Sequence, residues 1–345
     1  MAVGKRIYYL DILRVFACFL VVLTHSQMPN LPQNGKIVGL ISLICSPSSE
    51  LFLALSGAVL LPVRTNMRDF YKRRFLKLLP PMIFWSVFGV MLKLARHQVD
   101  FAGAGKLIMF MPVRPVEGAY WFLYVMIGLY LFAPIISCWL NQASKKQVQL
   151  FLMLWAFNMI MPWINELIPG IYHQEGSYYW IFCYFGGFLG YWFFGYYLNK
   201  YPIRFNTKAG VSVVLLSLLY LLSIVLMKIR GMDTSGLTDN LQIGSAFLVA
   251  LSFMIIKTVS DSHIGKKYLN NKAASVAQYS FGIYLIHIFV ARDLVWKLME
   301  NNRMYGHPIL ESLSVALSTI LICLIIMFLC KKTNKSVGEW LFGLK

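Results

Sequence analysis

Apolar residues gather into ten stretches, each close to the roughly 20 residues a helix needs to cross the hydrocarbon of a bilayer. They fall near 7–27, 37–62, 78–95, 119–139, 148–165, 178–198, 209–228, 240–257, 274–296 and 309–330, with polar or Pro- and Gly-bearing connections between them. The pattern predicts an all-α polytopic membrane protein of about ten transmembrane helices. The first stretch has no small-residue cleavage site and is followed by further spans, so it is expected to stay as an anchor. No internal repeat, low-complexity stretch or soluble segment interrupts the pattern, which predicts one transmembrane domain over 1–345.

Composition removes the soluble alternative. Of 345 residues 58% are hydrophobic, 15% aromatic and only 13% charged, far outside the range of a soluble globular domain. The formal charge of +18 does not point to nucleic acid, because the cations are not gathered on a soluble face. They occupy the leading segment and every second connection: Lys5 and Arg6; Arg64 to Lys77; Lys145 and Lys146; Lys200, Arg204 and Lys208; Lys257 to Lys272; Lys331 to Lys345. The segment 166–177 has Glu166 and Glu175 but no Lys or Arg. The positive-inside rule then predicts that both termini are cytoplasmic, with anionic lipid as the partner of the basic loops. The six cysteines lie in or at the ends of apolar spans, without CxxC or metal-ligand spacing. They are expected in the core, and neither a disulfide framework nor a metal site is predicted.

Ionisable residues inside the spans are the exceptions that carry information, because a charge at mid-bilayer costs about 2.5 to 3.5 kcal/mol and needs a partner or a wet cavity. The first span holds Asp11, Arg14 and His25. Arg14 and His25 share a helical face about 16 Å apart along the axis, with Asp11 and Cys18 near the same stripe. Asp11 can pair with Arg14 at i,i+3. Glu50 in the second span pairs with a cation or orients His25 or a hydroxyl of the substrate. Ser280, Tyr284 and His287 share another face, where they either bond a neighbouring helix or serve a ligand. Gly186 and Gly190, with Gly187 and Gly195, predict close helix packing.

Several of these segments resemble one family. LDILRVFACFLVVLTH resembles the opening signature of the membrane-bound acyltransferase family 3, an Arg and a His separated by ten residues, here Arg14 and His25. LFLALSG (51–57), YKRRFLKLLP (71–80), WFLYVMIGLYLFAPI (121–135), FGGFLGYWFFGYYL (185–198) and YSFGIYLIH (279–287) resemble its further motifs in order. Two positions depart from it: Lys77 stands where a second Arg is expected, and Glu50 where Asp or a neutral residue is more usual.

The resemblance implies a membrane O-acyltransferase, an O-acetyltransferase first of all, of the bacterial inner membrane, in a form without an appended soluble domain. It would move an acyl group from cytoplasmic acyl-CoA, expected to be acetyl-CoA, to a hydroxyl of a cell-surface glycan or a lipid-linked saccharide, without a metal. His25 is implied as general base, with Arg14, Glu50 and Asp11 in the catalytic set. Lys72, Arg73, Arg74 and Lys77, joined by Ser280, Tyr284 and His287, are implied at the acyl-CoA site. Trp121, Tyr124, Tyr130 and Ser56 are candidates for the acceptor. The competing class is a transporter or flippase for a lipid-linked sugar or an anion, which predicts inverted repeats and broken half-helices that the sequence does not display. The residues leave open the acceptor sugar, the acyl length, direct transfer against an acyl-enzyme, and whether the protein is an oligomer.

Overall fold

The computed structural model describes residues 6–27, 41–168, 170, 183–300 and 307–344, and among them it contains helices and no strand. The main helices are α1 (Tyr8–Thr24), α2 (Ser48–Leu60), α3 (Met67–Ala95), α4 (Phe101–Phe110), α5 (Trp121–Gln142), α6 (Lys145–Leu167), α7 (Leu189–Lys200), α8 (Lys208–Ile229), α9 (Ile243–Asp261), α10 (Asn270–Ala277), α11 (Ser280–Val290), α12 (Pro308–Thr333) and α13 (Lys335–Phe342). A π-helical segment, Ala291–Val295, continues α11.

Helix starts follow from short polar side chains that accept the free N–H groups of a first turn. Asn66 accepts from Asp69, Asp100 from Gly103, and Thr207 from Gly210. Ser144 and Gln147 form a reciprocal capping box that opens α6.

Among the described residues seven helices are long and apolar enough to cross a membrane, and an eighth if the pair Gly265–Ala277 and Ser280–Met299, bent by 67°, counts as one span. Of the remaining expected spans, 7–27 corresponds to the 17-residue α1. The span 178–198 lies partly outside the described residues and continues as α7. An all-α polytopic membrane fold therefore stands.

The chain divides into two compact units. The first contains the start of α1, α2, and everything from 135 to 275. Its tightest element is an antiparallel pairing of α2 and α7 through glycines: a Cβ on Gly57 would lie 2.1 Å from the Trp192 carbonyl oxygen, and one on Gly195 1.7 Å from that of Ala54. Only glycine permits that approach. Gly190 likewise lies against the Trp155 indole, so the expected close packing is present at Gly190 and Gly195, whereas Gly187 has open space beside it. Tyr9 donates to Asn199 at 2.5 Å, and Asn199 donates to the Ala58 carbonyl at 3.0 Å.

The second unit holds 18–32, 63–134 and 276–345. Trp85 is its hub: the indole N–H donates to the Leu341 carbonyl at 2.8 Å while the ring packs on Phe88, Phe289 and Phe342. Cys18, Cys45 and Cys323 are buried, whereas Cys138 lies on the outer surface, and the described cysteines are free thiols.

Candidate active site

Two contacts at equal spacing set α1 and α11 side by side in the second unit. Cys18 Sγ lies 3.8 Å from the Ser280 carbonyl, and seven residues further on each chain segment the rings of His25 and His287 meet with centroids 5.3 Å apart. Seven residues are two helical turns, about 10 Å of rise, so the segments run parallel and in register. His25 follows the last residue of α1 and is partly exposed. His287 is fully buried at 0% exposure.

The hydrogen bond of His287 fixes its tautomer. Its Nδ1 lies 2.6 Å from the Tyr284 carbonyl oxygen, which only accepts, so Nδ1 carries the hydrogen. Nε2 is then left without a protein partner. The Tyr284 ring stands 5.8 Å from the His287 ring and its hydroxyl donates to the Ala119 carbonyl. Tyr120, fully buried, donates in return to the Leu285 carbonyl at 2.5 Å.

Beyond His287, the π-helical segment presents Arg292 and Asp293 to an ion network. Glu117, 4% exposed, lies 3.3 Å from Lys93 and 3.2 Å from Arg292; Asp293 pairs with Arg96 and stands 3.7 Å from Arg292 Nε. Three cations face two carboxylates. π-Helical turns recur at functional sites, and this one joins the histidine to the network.

The residues expected at the acyl-CoA site separate into two groups. Lys72, Arg73 and Lys77 are exposed on the first turns of α3, where Arg74 lies over the Phe70 ring at 5.8 Å. Ser280 and Tyr284 direct their hydroxyls to the Ala277 and Ala119 carbonyls, and His287 joins His25. The acceptor candidates scatter as well. Tyr124 donates to the Met111 and Arg114 carbonyls at 2.5 and 3.0 Å, Tyr130 packs edge-on to Phe70 and Phe75, and Trp121 meets Phe122. Ser56 is partly exposed on α2, in the first unit.

In the first unit Asp11 lies 2.7 Å from Arg6 and 3.9 Å from Arg14, so the closer partner precedes the helix. Glu50 is at 0% exposure and neither carboxylate oxygen has a hydrogen-bond partner.

Sequence reasoning missed Glu117, Lys93, Arg96, Arg292 and Asp293. Lys93, Arg292 and Asp293 fall inside two expected spans, and charge at that depth is the signal that would have found them.

A bundle of membrane-length helices with a pair of imidazoles, one of them fully buried, and an internal ion network defines a class, the polytopic membrane proteins with polar centres inside the helices. Within it the sequence model described as an acyltransferase domain matches residues 7–328, nearly the whole chain, and the protein belongs to that acyltransferase family. No curated protein and no solved structure gave a match.

Proposed function

We propose that the protein is a membrane O-acyltransferase that moves an acetyl group from cytoplasmic acetyl-CoA to a hydroxyl of a cell-envelope glycan or lipid-linked saccharide. The observation that carries this reading is the histidine pair. His25 is partly exposed and can meet a substrate hydroxyl, while His287 behind it has one ring nitrogen committed to a carbonyl and the other free. A neutral imidazole on His25 takes the acceptor proton as the hydroxyl oxygen attacks the thioester carbon. The C–S bond then breaks, and the CoA thiolate leaves and is protonated. The free Nε2 of His287 supplies an acceptor for the hydrogen on the second ring nitrogen of His25, which steadies the imidazolium as it forms.

The basic start of α3 supports a donor role in the same unit. Lys72, Arg73, Arg74 and Lys77 offer point charges and guanidinium forks for the CoA phosphates. The same helix leads, eleven residues past Lys77, to Phe88, which packs on Phe289, two positions from His287. The loop charges support cytoplasmic termini, and together with the family they support a bacterial inner membrane as the location. Membership in an acyltransferase family favours this chemistry over transport.

Transfer of label from acetyl-labelled acetyl-CoA into the glycan and glycolipid fraction of host membranes tests the reading. Wild-type membranes should transfer label, and His25→Ala at equal protein level should lose about 10²- to 10⁴-fold of the rate, the usual contribution of a general base. Full transfer by the variant overturns the assignment of His25. No transfer by wild type overturns the donor or the acceptor class.

A further inference from the structure

The first unit holds a second polar centre. Glu50 lies in the first turn of α2, fully buried, with both carboxylate oxygens unpaired. Further segments bring polar atoms in the same condition into its neighbourhood. Tyr220 of α8 interacts electrostatically with Glu50 and lies within hydrogen-bonding range of Ser46, without a well-aligned bond between the two hydroxyls. Trp163 of α6 meets the Tyr220 ring edge-on at 6.0 Å, and its Nε1 has no acceptor. Gln242, 2% exposed, precedes α9 two residues before Gly244, whose missing Cβ would lie 2.1 Å from the Tyr220 ring; its Oε1 has no donor. Tyr191 of α7, also in electrostatic reach of Glu50, donates instead to the Asn240 carbonyl at 2.9 Å. Asp239 beside it is exposed and marks the solvent side.

An unpaired buried polar group costs about 1 to 3 kcal/mol, and a carboxyl group more. Packing alone does not explain five of them in one neighbourhood. Their chemistry restricts what completes them. Gln242 Oε1 accepts, Trp163 Nε1 only donates, the Glu50 carboxyl accepts and in its protonated form also donates, and the hydroxyls of Ser46 and Tyr220 do both. The indole N–H opposes a metal ion, and among the described residues no group of three His, Cys, Asp or Glu could hold one. Glu50 and Asp239 oppose an anion. A neutral ligand bearing several hydroxyls satisfies every atom, and the rings of Trp163 and Tyr220 give its C–H surface an apolar wall.

We infer that Ser46, Glu50, Trp163, Tyr220 and Gln242 bind a neutral polyhydroxylated ring, the sugar of the acceptor. That it belongs to the acceptor rests on the acyl-transfer reading; that it binds a sugar does not.

The test needs no acyl donor. The full chain in lipid nanodiscs is treated with dicyclohexylcarbodiimide, which modifies carboxyl groups in apolar surroundings, and labelling of the Glu50 peptide is measured by mass spectrometry. The probes are methyl glycosides of glucose, galactose, mannose and rhamnose, with sodium glutamate at equal osmolality as the charged control. A sugar with a Kd of about 1 mM, supplied at about 10 mM, occupies roughly nine-tenths of the sites and lowers labelling about tenfold. Trp163→Phe, which removes only the ring N–H and a little volume, should weaken that protection severalfold while Glu50 still labels. Three outcomes overturn the inference: no labelling of wild-type Glu50, no protection by any glycoside, or equal protection by glutamate. If transfer from acetyl-CoA fails while a glycoside protects, the acyl-transfer reading falls and the sugar site stands; the converse result removes only the site.

Discussion

Gly57 and Gly195 allow α2 and α7 to touch backbone to backbone, and replacing both with alanine measures what that approach is worth. A Cβ at Gly195 would stand 1.7 Å from the Ala54 carbonyl oxygen, and one at Gly57 2.1 Å from that of Trp192, where real contacts stay beyond 3.0 Å. The helices must separate by about 1.3 Å (3.0 minus 1.7) for the first and about 0.9 Å (3.0 minus 2.1) for the second. A gap of 0.5 to 1 Å forfeits a quarter to a half of each dispersion contact, and neither obstacle is a side chain that can swing away. Overpacking of this kind costs about 1 to 3 kcal/mol. Taking about 3 kcal/mol for Gly195→Ala, and subtracting about 1 kcal/mol of helix propensity that alanine restores, leaves a net loss of about 2 kcal/mol. The smaller clash at Gly57, taken at about 2 kcal/mol, leaves about 1 kcal/mol for Gly57→Ala after the same subtraction.

One separation relieves both clashes, so the double variant incurs the larger cost of about 3 kcal/mol once, less about 1 kcal/mol of propensity at each alanine; it should lose only about 1 kcal/mol against about 3 kcal/mol for the summed singles, a coupling of about 2 kcal/mol. Gly128 of α5, which has nothing within 4 Å of a built Cβ, is the control, and Gly128→Ala should be neutral or slightly stabilising. Reversible unfolding by dodecyl sulfate titration in mixed micelles, followed by tryptophan fluorescence, reads these differences. Gly195→Ala as stable as Gly128→Ala, or strictly additive losses, would refute the shared-separation argument.

Glu117→Ala leaves Lys93 and Arg292 in a largely buried site without their shared carboxylate, and should cost about 3 to 5 kcal/mol in the same unfolding assay; Lys93→Met in that background should recover part of it. His287→Asn can still offer an amide N–H to the Tyr284 carbonyl but lacks the free ring nitrogen. It should lower kcat for transfer by tenfold or more with stability unchanged within about 1 kcal/mol, and an unchanged kcat would mean that His287 only fills space. The double change Arg73→Ala and Arg74→Ala should raise KM for acetyl-CoA about tenfold with little effect on kcat. Raising ionic strength from about 0.05 to 0.5 M should move the wild type in the same direction.

The spans were legible because hydropathy is local: a run such as Lys208–Ile229 announces a helix whatever it packs against. Arg14 and His25 were legible for the same reason, as polar exceptions in one apolar run. The pairing of His25 with His287 was not, since it joins segments 262 residues apart in the chain and depends on how α1 and α11 align. A trace of it exists: Cys18 and His25 are seven residues apart, as are Ser280 and His287, and two matched two-turn stripes are what parallel helices in register require. Without the contact at Ser280 to fix the register, that spacing selects no partner. The ion network escaped notice because its cations come from the end of α3 and from the π-helical segment after α11, and Glu117 from a third stretch, so no single run of sequence gathers them. Glu50 was visible as a buried acid, but that no cation among the described residues pairs with it is a property of the folded neighbourhood.

Tyr120 and Tyr284 tie the two halves of the candidate active site together. Each hydroxyl donates to a carbonyl on the other's segment: Tyr120 to Leu285, and Tyr284 to Ala119. These reciprocal bonds fix residues 117–120 against the first two turns of α11, and both consequences are chemical. Glu117 is held three residues before Tyr120, where it gathers Lys93 and Arg292. Tyr284, held by its own side chain, offers the backbone carbonyl that sets the His287 tautomer. The position of the carboxylate that balances the cations and the protonation pattern of the imidazole therefore rest on one buried pair of tyrosines. In a site where one unsatisfied polar group costs about 1 to 3 kcal/mol, that pair decides which nitrogen of His287 is left free, because Nδ1 is committed to the Tyr284 carbonyl while the Ser280 and Tyr284 hydroxyls of α11 are engaged by the Ala277 and Ala119 carbonyls.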